Sequence, residues 1–432
     1  MNINIRYDVQ SLLLFPLIVK MFNYKGQKNQ GYVVRWGKKL LIISLVFLSL
    51  LMTVVIPVRN VYANSPQQEL RGVWITNIDS DVLFEKKRLK NAINKLHELN
   101  FNTVYPTVWN WGYTLYPSKV AKKVIGKSLD PTPGLQKRDI LKEIVTEGHR
   151  KKMTVIPWFE FGFMAPSDSD LVKRHPEWIL QRQDQSIIWK EGPHKRVWLN
   201  PFRPDVQKFM LDLILEIVTK YDVDGIQFDD HFGFPSEFGY DNFTVELYKQ
   251  EHNGSSPPTD VKNEDWIKWR ADKITDYLGK ISKEIKRKKR KCIISLSPNP
   301  WEFAYKFHLS DWKTWDKKGF IQELIVQIYR HDLNVFTQEI EKPELIEASQ
   351  HIPTSIGIIA GVKPSPVKIS QIKEQVETVR QRKSLSGVSF FFYESLWNMA
   401  PDTPQIRQTA FKQMFNQKAI HPNIYKKWKP NQ

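Results

Sequence analysis

From Glu69 onward, short runs rich in β-branched and aromatic residues alternate with longer charged segments whose apolar residues recur every three to four positions. Eight such runs occur, at 72–77 (GVWITN), 103–109 (TVYPTVW), 154–161 (TVIPWFEF), 225–231 (GIQFDDH), 292–299 (CIISLSPN), 324–330 (LIVQIYR), 354–361 (TSIGIIAG) and 388–394 (VSFFFYE). The segments between them, among them 87–99, 138–152, 205–221, 266–288 and 370–383, carry helical spacing. Repeated strand–helix units predict a parallel sheet, and eight is the number that closes one into an α/β fold of the (β/α)₈ TIM-barrel type. The barrel is expected over 68–400, with a helical and then basic tail over 401–432. The connections at 164–203 and 234–265 are longer than a bare strand-to-helix loop. Both follow strands, the third and the fourth, so both are expected to shape a cleft on the carboxyl-end face of the barrel.

Residues 1–63 do not share this rhythm. They contain a 19-residue apolar run at 40–58, preceded by Arg35, Lys38 and Lys39 and followed by the small-residue stretch Val61-Tyr62-Ala63. Basic end first, apolar core next and a cleavable stretch last is the order of an export signal, and the length also suits an uncleaved membrane anchor. The chain is therefore expected outside the cytoplasm, either exported or anchored, with membrane contact only through this segment. No Cys follows the run, so a lipoprotein anchor is not expected there. Cys292 is the single cysteine, so no disulfide forms within the chain.

The net charge of +18 raises the question of nucleic acid. Eight Lys or Arg against one Asp in residues 1–63 account for +7, which leaves +11 on the remainder. The densest cluster, KEIKRKKRK at 283–291, falls on the end of an expected helix with no recognition helix, finger or aromatic stacking motif beside it. Nucleic acid is thus not the expected partner; the residual charge suits polyanionic polymers. Aromatic content is 12% with 15 Trp, and tryptophan faces stack on the apolar faces of sugars.

Candidate chemistry sits at strand ends, where a buried charge persists only if a task or partner holds it. The third run ends at Glu160, the fourth at Asp229-Asp230-His231 and the eighth at Glu394. Alternation in the fourth places Ile226 and Phe228 toward the helices and turns Gln227 and Asp229 toward the barrel axis, favouring Asp229 over Asp230. Glycoside cleavage requires one carboxyl group to protonate the leaving oxygen and a second to attack or to activate water, and Glu160 and Glu394 are candidates for the second. Aromatic and polar residues at the same ends are expected to bind substrate: Trp74, Trp109, Trp111, Trp158, Gln227, His231, Tyr329, Tyr393 and Trp397.

The stretches Leu70-Arg71-Gly72-Val73-Trp74-Ile75, Leu115-Tyr116-Pro117-Ser118, residues 224–232 (DGIQFDDHF) and Ser297-Pro298-Asn299 resemble the glycosyl-hydrolase-like family 10 barrels. The resemblance implies a (β/α)₈ fold and exported enzymes that act on bacterial envelope glycans, with peptidoglycan-type strands as a suggested substrate. It also implies kinship with the α-amylase and α-galactosidase superfamily, in which the fourth strand supplies a nucleophilic Asp; that role falls on Asp229. Those relatives take their acid from the fifth or sixth strand, and near those ends only Asp332 offers one here. Two other readings compete. A non-catalytic glycan-binding barrel would keep the aromatics without needing the acids. A metal-dependent hydrolase would use Asp229, Asp230, His231 and His331 as ligands, but the first strand lacks a His-x-His pair, so neither metal nor cofactor is expected.

Overall fold

The computed structural model describes residues 67–424. The apolar run at 40–58, the Val61-Tyr62-Ala63 stretch and the basic end at 426–432 lie outside the described residues.

The eight expected runs are strands: β1 (Leu70–Ile75), β2 (Thr103–Pro106), β3 (Thr154–Val155), β4 (Gly225–Asp229), β5 (Ile293–Ser297), β6 (Glu323–Gln327), β7 (Thr354–Ile359) and β8 (Gly387–Phe391). All pair in parallel, in the spatial order β3-β2-β1-β8-β7-β6-β5-β4. The circle is completed where β3 meets β4. There the Asp224 amide donates to the Val155 carbonyl (3.0 Å), Gln227 to Pro157 (2.8 Å) and Phe159 to Gln227 (3.0 Å). The sheet is a (β/α)₈ barrel. Its third strand is shorter than the 154–161 run because Pro157 has no N–H to give to a ladder, and beyond it only Trp158 bridges to its neighbours.

Helices α1 (Lys86–Glu98), α2 (Ile140–Arg150), α3 (Pro204–Lys220), α4 (Glu264–Lys288), α5 (Trp312–Lys317), α6 (Pro343–His351), α7 (Ile369–Arg380) and α8 (Pro404–Met414) alternate with the strands. Each buries one stripe: α4, for instance, turns Ile267, Ala271, Ile274, Leu278, Ile281 and Ile285 inward. The basic cluster begins in its last turn with Lys286, Arg287 and Lys288, where cations complement the helix dipole. Strand alternation sorts the core into two clusters. Val73, Val104, Ile226, Phe228, Leu296 and Val326 face the helices, whereas Leu70, Trp74, Tyr105, Ile293 and Ile325 fill the barrel interior.

The interior also holds a polar chain. Trp74 Nε1 donates to Gln227 Oε1 (2.6 Å), Gln227 Nε2 to Ser295 Oγ (2.9 Å), and Ser295 Oγ and Tyr105 OH to Glu323 Oε1 (2.7 and 3.0 Å). The chain ends at the amino-end face, which the segment after Pro401 closes. In that segment Phe411 of α8 packs on Phe101 and Phe390, Ile420 bridges Gln68, and Ile424 joins the interior cluster.

His421 Nε2 sits 2.6 Å from Glu323 Oε2 beneath the barrel. Burial opposes both charges, but each holds the other: Glu323 lies below the ordinary carboxyl range and His421 above the ordinary imidazole range. The pair's contribution is therefore full between the unfolded values of about 4.5 and 6.5, and fades as pH rises through the raised value of His421. His421→Ala leaves Glu323 a buried, uncompensated charge and is expected to cost roughly 3–5 kcal/mol near pH 6, less at pH 9, read by urea unfolding at the two pH values.

Candidate active site

The carboxyl-end face of the barrel is built from the loops that follow the strands. After β3 the chain forms a three-stranded antiparallel sheet of Met164–Pro166, Trp189–Glu191 and His194–Trp198, and after β4 the helix Asn242–Glu251. These are the two long connections of the sequence, and both rise on the same side as Glu160 and Asp229.

Asp229 points into the barrel mouth and is 2% exposed. Its Oδ2 accepts from Trp158 Nε1 (2.9 Å) and its Oδ1 from the His231 amide (3.0 Å). That second bond caps the single 3₁₀ turn Asp230–Phe232, which ends the strand and breaks its alternation. Asp230 consequently turns into the mouth as well, where Asn299 Nδ2 from the end of β5 and Gln327 Nε2 from the end of β6 donate to its two oxygens, both at 3.1 Å. Glu160 completes the group. Its Oε2 accepts from Thr107 Oγ1 and Asn110 Nδ2 (both 2.7 Å), and Thr76 Oγ1 lies 2.8–2.9 Å from both of its oxygens.

Burial dominates the titration of two of these acids. It pushes Glu160 up to about 7 against the hydrogen bonds of Thr107 and Thr76, with the charge of Asp229 adding to the rise. It pushes Asp229 up to about 6 even though His231 pulls the other way. At Asp230 burial acts in the same direction but is overcome by the charges of His231 and His308 and by the Gln327 hydrogen bond, so this carboxyl lies below its ordinary range. His231 is the mirror case: burial disfavours its charge, the two aspartates outweigh burial, and it titrates at about 10. Its Nδ1 donates to the Glu160 carbonyl (2.6 Å). Near neutrality the mouth thus holds an imidazolium, one ionised carboxylate and two carboxyls poised between charged and neutral, the separation of like groups that acid–base work requires.

The cleft over these groups encloses about 370 Å³, walled by Trp74, Trp111, Trp158, Phe161, Tyr329 and Phe391. Tyr329 stacks on Phe391 (5.8 Å, 28°), and its hydroxyl senses the charges of all three acids. A larger hollow of about 880 Å³, lined by Trp189, Phe303, Tyr305 and Phe307, shares no lining residue with this cleft and holds none of the three acids.

The remaining expected residues lie elsewhere. Gln227 is fully buried within the interior polar chain. Trp109 is core, its Nε1 bonded to the Gly162 carbonyl (2.9 Å) and its ring edge-on to Phe209. After Phe391 the chain leaves β8, and Ser395 Oγ accepts from the Phe392 amide, which turns Tyr393, Glu394 and Trp397 out of the mouth. Trp397 then packs on Phe411 under Lys95, and Glu394 accepts from Asn398. Asp332 is exposed and caps the helix Leu333–Ile340 through the Val335 amide (2.8 Å). His331 is exposed and pairs with Ser365. Conversely, Thr76, Thr107, Asn110, Gln327 and Arg196 form the site without having been singled out, because threonine, amide and loop residues carry no periodic signal of their own.

Asp229, Asp230 and His231 present ligand atoms within 4.8 Å of one another, the one such metal-capable group among the described residues. The aspartate oxygens also receive protein donors, and His231 Nδ1 donates to the Glu160 carbonyl, which leaves Nε2 as the ring's remaining nitrogen.

Gly162 fixes the approach of the two acidic loops. Its φ is +46° and a Cβ there would stand 2.2 Å from the His231 carbonyl. Gly162→Ala is expected to destabilise by about 2 kcal/mol or more, measured by urea unfolding, and to lower activity together with stability because His231 must move.

Fold and mouth together define the class: a (β/α)₈ barrel of the glycoside-hydrolase type, with carboxyl groups converging at the strand ends under aromatic walls. The particular family follows from the sequence, since residues 69–379 match Glycosyl hydrolase-like 10, and the chain belongs to that family. Glycosyl hydrolase DigH of Escherichia coli (strain K12) is 25% identical over 301 residues, which span 61% of this chain and 66% of that protein. Glycosyl hydrolase YngK of Bacillus subtilis (strain 168) is 22% identical over 299 residues, 61% of this chain and 54% of that protein. The chain thus covers about two thirds of the one relative and about half of the other. Among solved structures, the glycoside hydrolase domain of PgaB (BpsB) from Bordetella bronchiseptica superposes with a TM-score of 0.59 at 12% identity, covering 79% of this chain and 98% of that domain. The α-L-fucosidase isoenzyme 2 from Paenibacillus thiaminolyticus gives 0.56 at 14%, covering 81% and 49%. At such identities the likeness is one of fold.

Proposed function

We propose that this chain hydrolyses O-glycosidic bonds of an envelope polysaccharide, with peptidoglycan-type glycan strands as the substrate. Glu160 donates the proton to the leaving oxygen as the C–O bond breaks, and Asp230, ionised, compensates the positive charge that develops on the sugar ring. Water then adds to the ring carbon and returns a proton to Glu160. Asp229 lies beside Glu160, and its charge helps keep that acid protonated. Trp74, Trp158, Tyr329 and Phe391 supply the faces on which sugar rings stack. The single observation that carries the reading is geometric: Glu160, Asp229 and Asp230 line one aromatic-walled cleft of about 370 Å³, in surroundings that push Glu160 up and Asp230 down. The relatives named glycosyl hydrolases support it, as does the signal-like segment at 40–58, which suits work outside the cytoplasm.

The test is incubation of the purified protein with peptide-free peptidoglycan strands and with a panel of neutral polysaccharides, products read by mass spectrometry. New reducing ends, one water added per cleavage, are expected on the peptidoglycan strands. Intact glycans throughout would overturn the proposal.

A further inference from the structure

In the loop strand His194–Trp198, alternation puts His194, Arg196 and Trp198 on the face turned to the mouth: His194 stands edge-on to Trp111 (5.7 Å) and Trp198 lies 5.8 Å from His231. Arg196 between them is 2% exposed, an unusual burial for a residue at the wall of an open cleft. Its guanidinium carbon lies 4.6 Å from the Trp111 ring centre and 5.0 Å from that of Phe161, two cleft walls that are themselves 5.9 Å apart. Glu191, across the hairpin, accepts from Nε at 2.9 Å. Among the described residues no acceptor bonds Nη1 or Nη2, and neither is sealed from the cleft. The fork thus faces the cleft with donors that only water or a ligand can satisfy, held in place by its aromatic cover and by Glu191.

The supports around it are specific. Trp111 adopts a left-handed backbone (φ +54°), and its amide donates to Asn110 Oδ1 (2.7 Å). The same Asn110 gives its Nδ2 to Glu160. The aromatic cover of Arg196 and the proposed acid are thus set by one side chain, which ties the fork to the reacting centre. A planar fork with two parallel N–H groups matches a carboxylate bidentately, whereas a sugar hydroxyl offers only one acceptor atom.

Resting on the glycosidase reading of the cleft, we infer that Arg196 is a specificity-determining residue that binds a carboxylate carried by the sugar next to the scissile bond. Such a carboxylate comes from a lactyl ether on the sugar or from a uronic acid ring.

Binding is measured by calorimetry on the Asp230→Asn protein, in which turnover is expected to be slowed, with two probes: peptide-free peptidoglycan oligomers and oligogalacturonate. Each is compared with its carboxyl-reduced counterpart, in which CH₂OH replaces the acid. The oligomer of the correct source is expected to bind about tenfold or more tighter than its reduced form. Adding Arg196→Gln should abolish that ratio, and Arg196→Lys should restore only part of it. The comparison of acid and reduced forms needs no substitution at Arg196, so misfolding of the variant does not blunt it. Equal affinity for acid and reduced forms of both probes, no binding of either acid form, or a ratio that survives Arg196→Gln would each overturn the assignment. Turnover tells the two proposals apart: wild-type cleavage of acid and reduced strands at equal rates sinks the carboxylate subsite alone, whereas discriminating binding without cleavage of any glycan sinks the hydrolase reading alone.

Discussion

Asp230→Asn lowers kcat on the cleaved glycan by about 10²- to 10⁴-fold while the dissociation constant for that glycan stays within a few-fold of wild type. The expectation follows from what holds this side chain. Asn299 and Gln327 donate to its two oxygens and the His231 imidazolium favours its ionised form, so an amide of the same shape keeps the packing and loses the charge together with one of the two hydrogen bonds. Interactions present only as charge develops on the sugar are then lost, whereas ground-state contacts with the aromatic walls persist. Initial rates of reducing-end release, set beside calorimetric binding, separate the two. Asp332→Asn and Glu394→Gln serve as contrasts. The first residue is an exposed helix cap and the second faces Asn398 outside the mouth, so both variants should keep activity within about twofold. Loss of binding in step with loss of rate at Asp230 would argue against its proposed role.

Glu160→Gln is expected to change two quantities in opposite directions. Activity falls by about 10²- to 10⁴-fold, because the proton for the leaving oxygen is gone. The wild-type pH profile should decline as pH rises through about 7, where Glu160 loses its proton, and the residual activity of the variant should lack that limb. Stability moves the other way. A carboxyl whose folded value is raised from 4.5 to about 7 contributes stability that is intact below pH 4.5 and is lost progressively as pH rises to about 7. Above that, the folded protein carries a buried charge that costs up to roughly 3 kcal/mol. Glutamine cannot ionise, so the variant should be more stable than wild type by about 1–3 kcal/mol at pH 8 and indistinguishable from it at pH 4, by urea unfolding at both values. A variant that is less stable at pH 8 would show that the bonds from Thr107, Asn110 and Thr76, rather than the cost of the charge, dominate at this position.

The sequence by itself determined the barrel, its strand count and the inward direction of Asp229. All three are local consequences of periodicity: alternation of two along 225–229, and repeats of three to four along segments such as α4, follow from backbone geometry and burial of apolar surface. It also brought Glu160 and Asp230 into view, because acids at the ends of apolar runs are conspicuous. What only the tertiary structure decided is which strand-end residues meet. Asp230 reaches the mouth because the Asp229 cap on His231 ends the strand's alternation, and Glu394 leaves it because Ser395 turns the chain after Phe391. Arg196 and Asn110 enter from loops distant in sequence, Arg196 over the Trp111 ring and Asn110 as a donor to Glu160. The physical reason is range. A repeat is written in neighbouring residues, whereas burial, mutual charge and hydrogen-bond geometry at the mouth arise only when segments far apart in sequence pack together, as when Trp74 joins Gln227 across 153 residues and Glu160 joins Asn110 across 50.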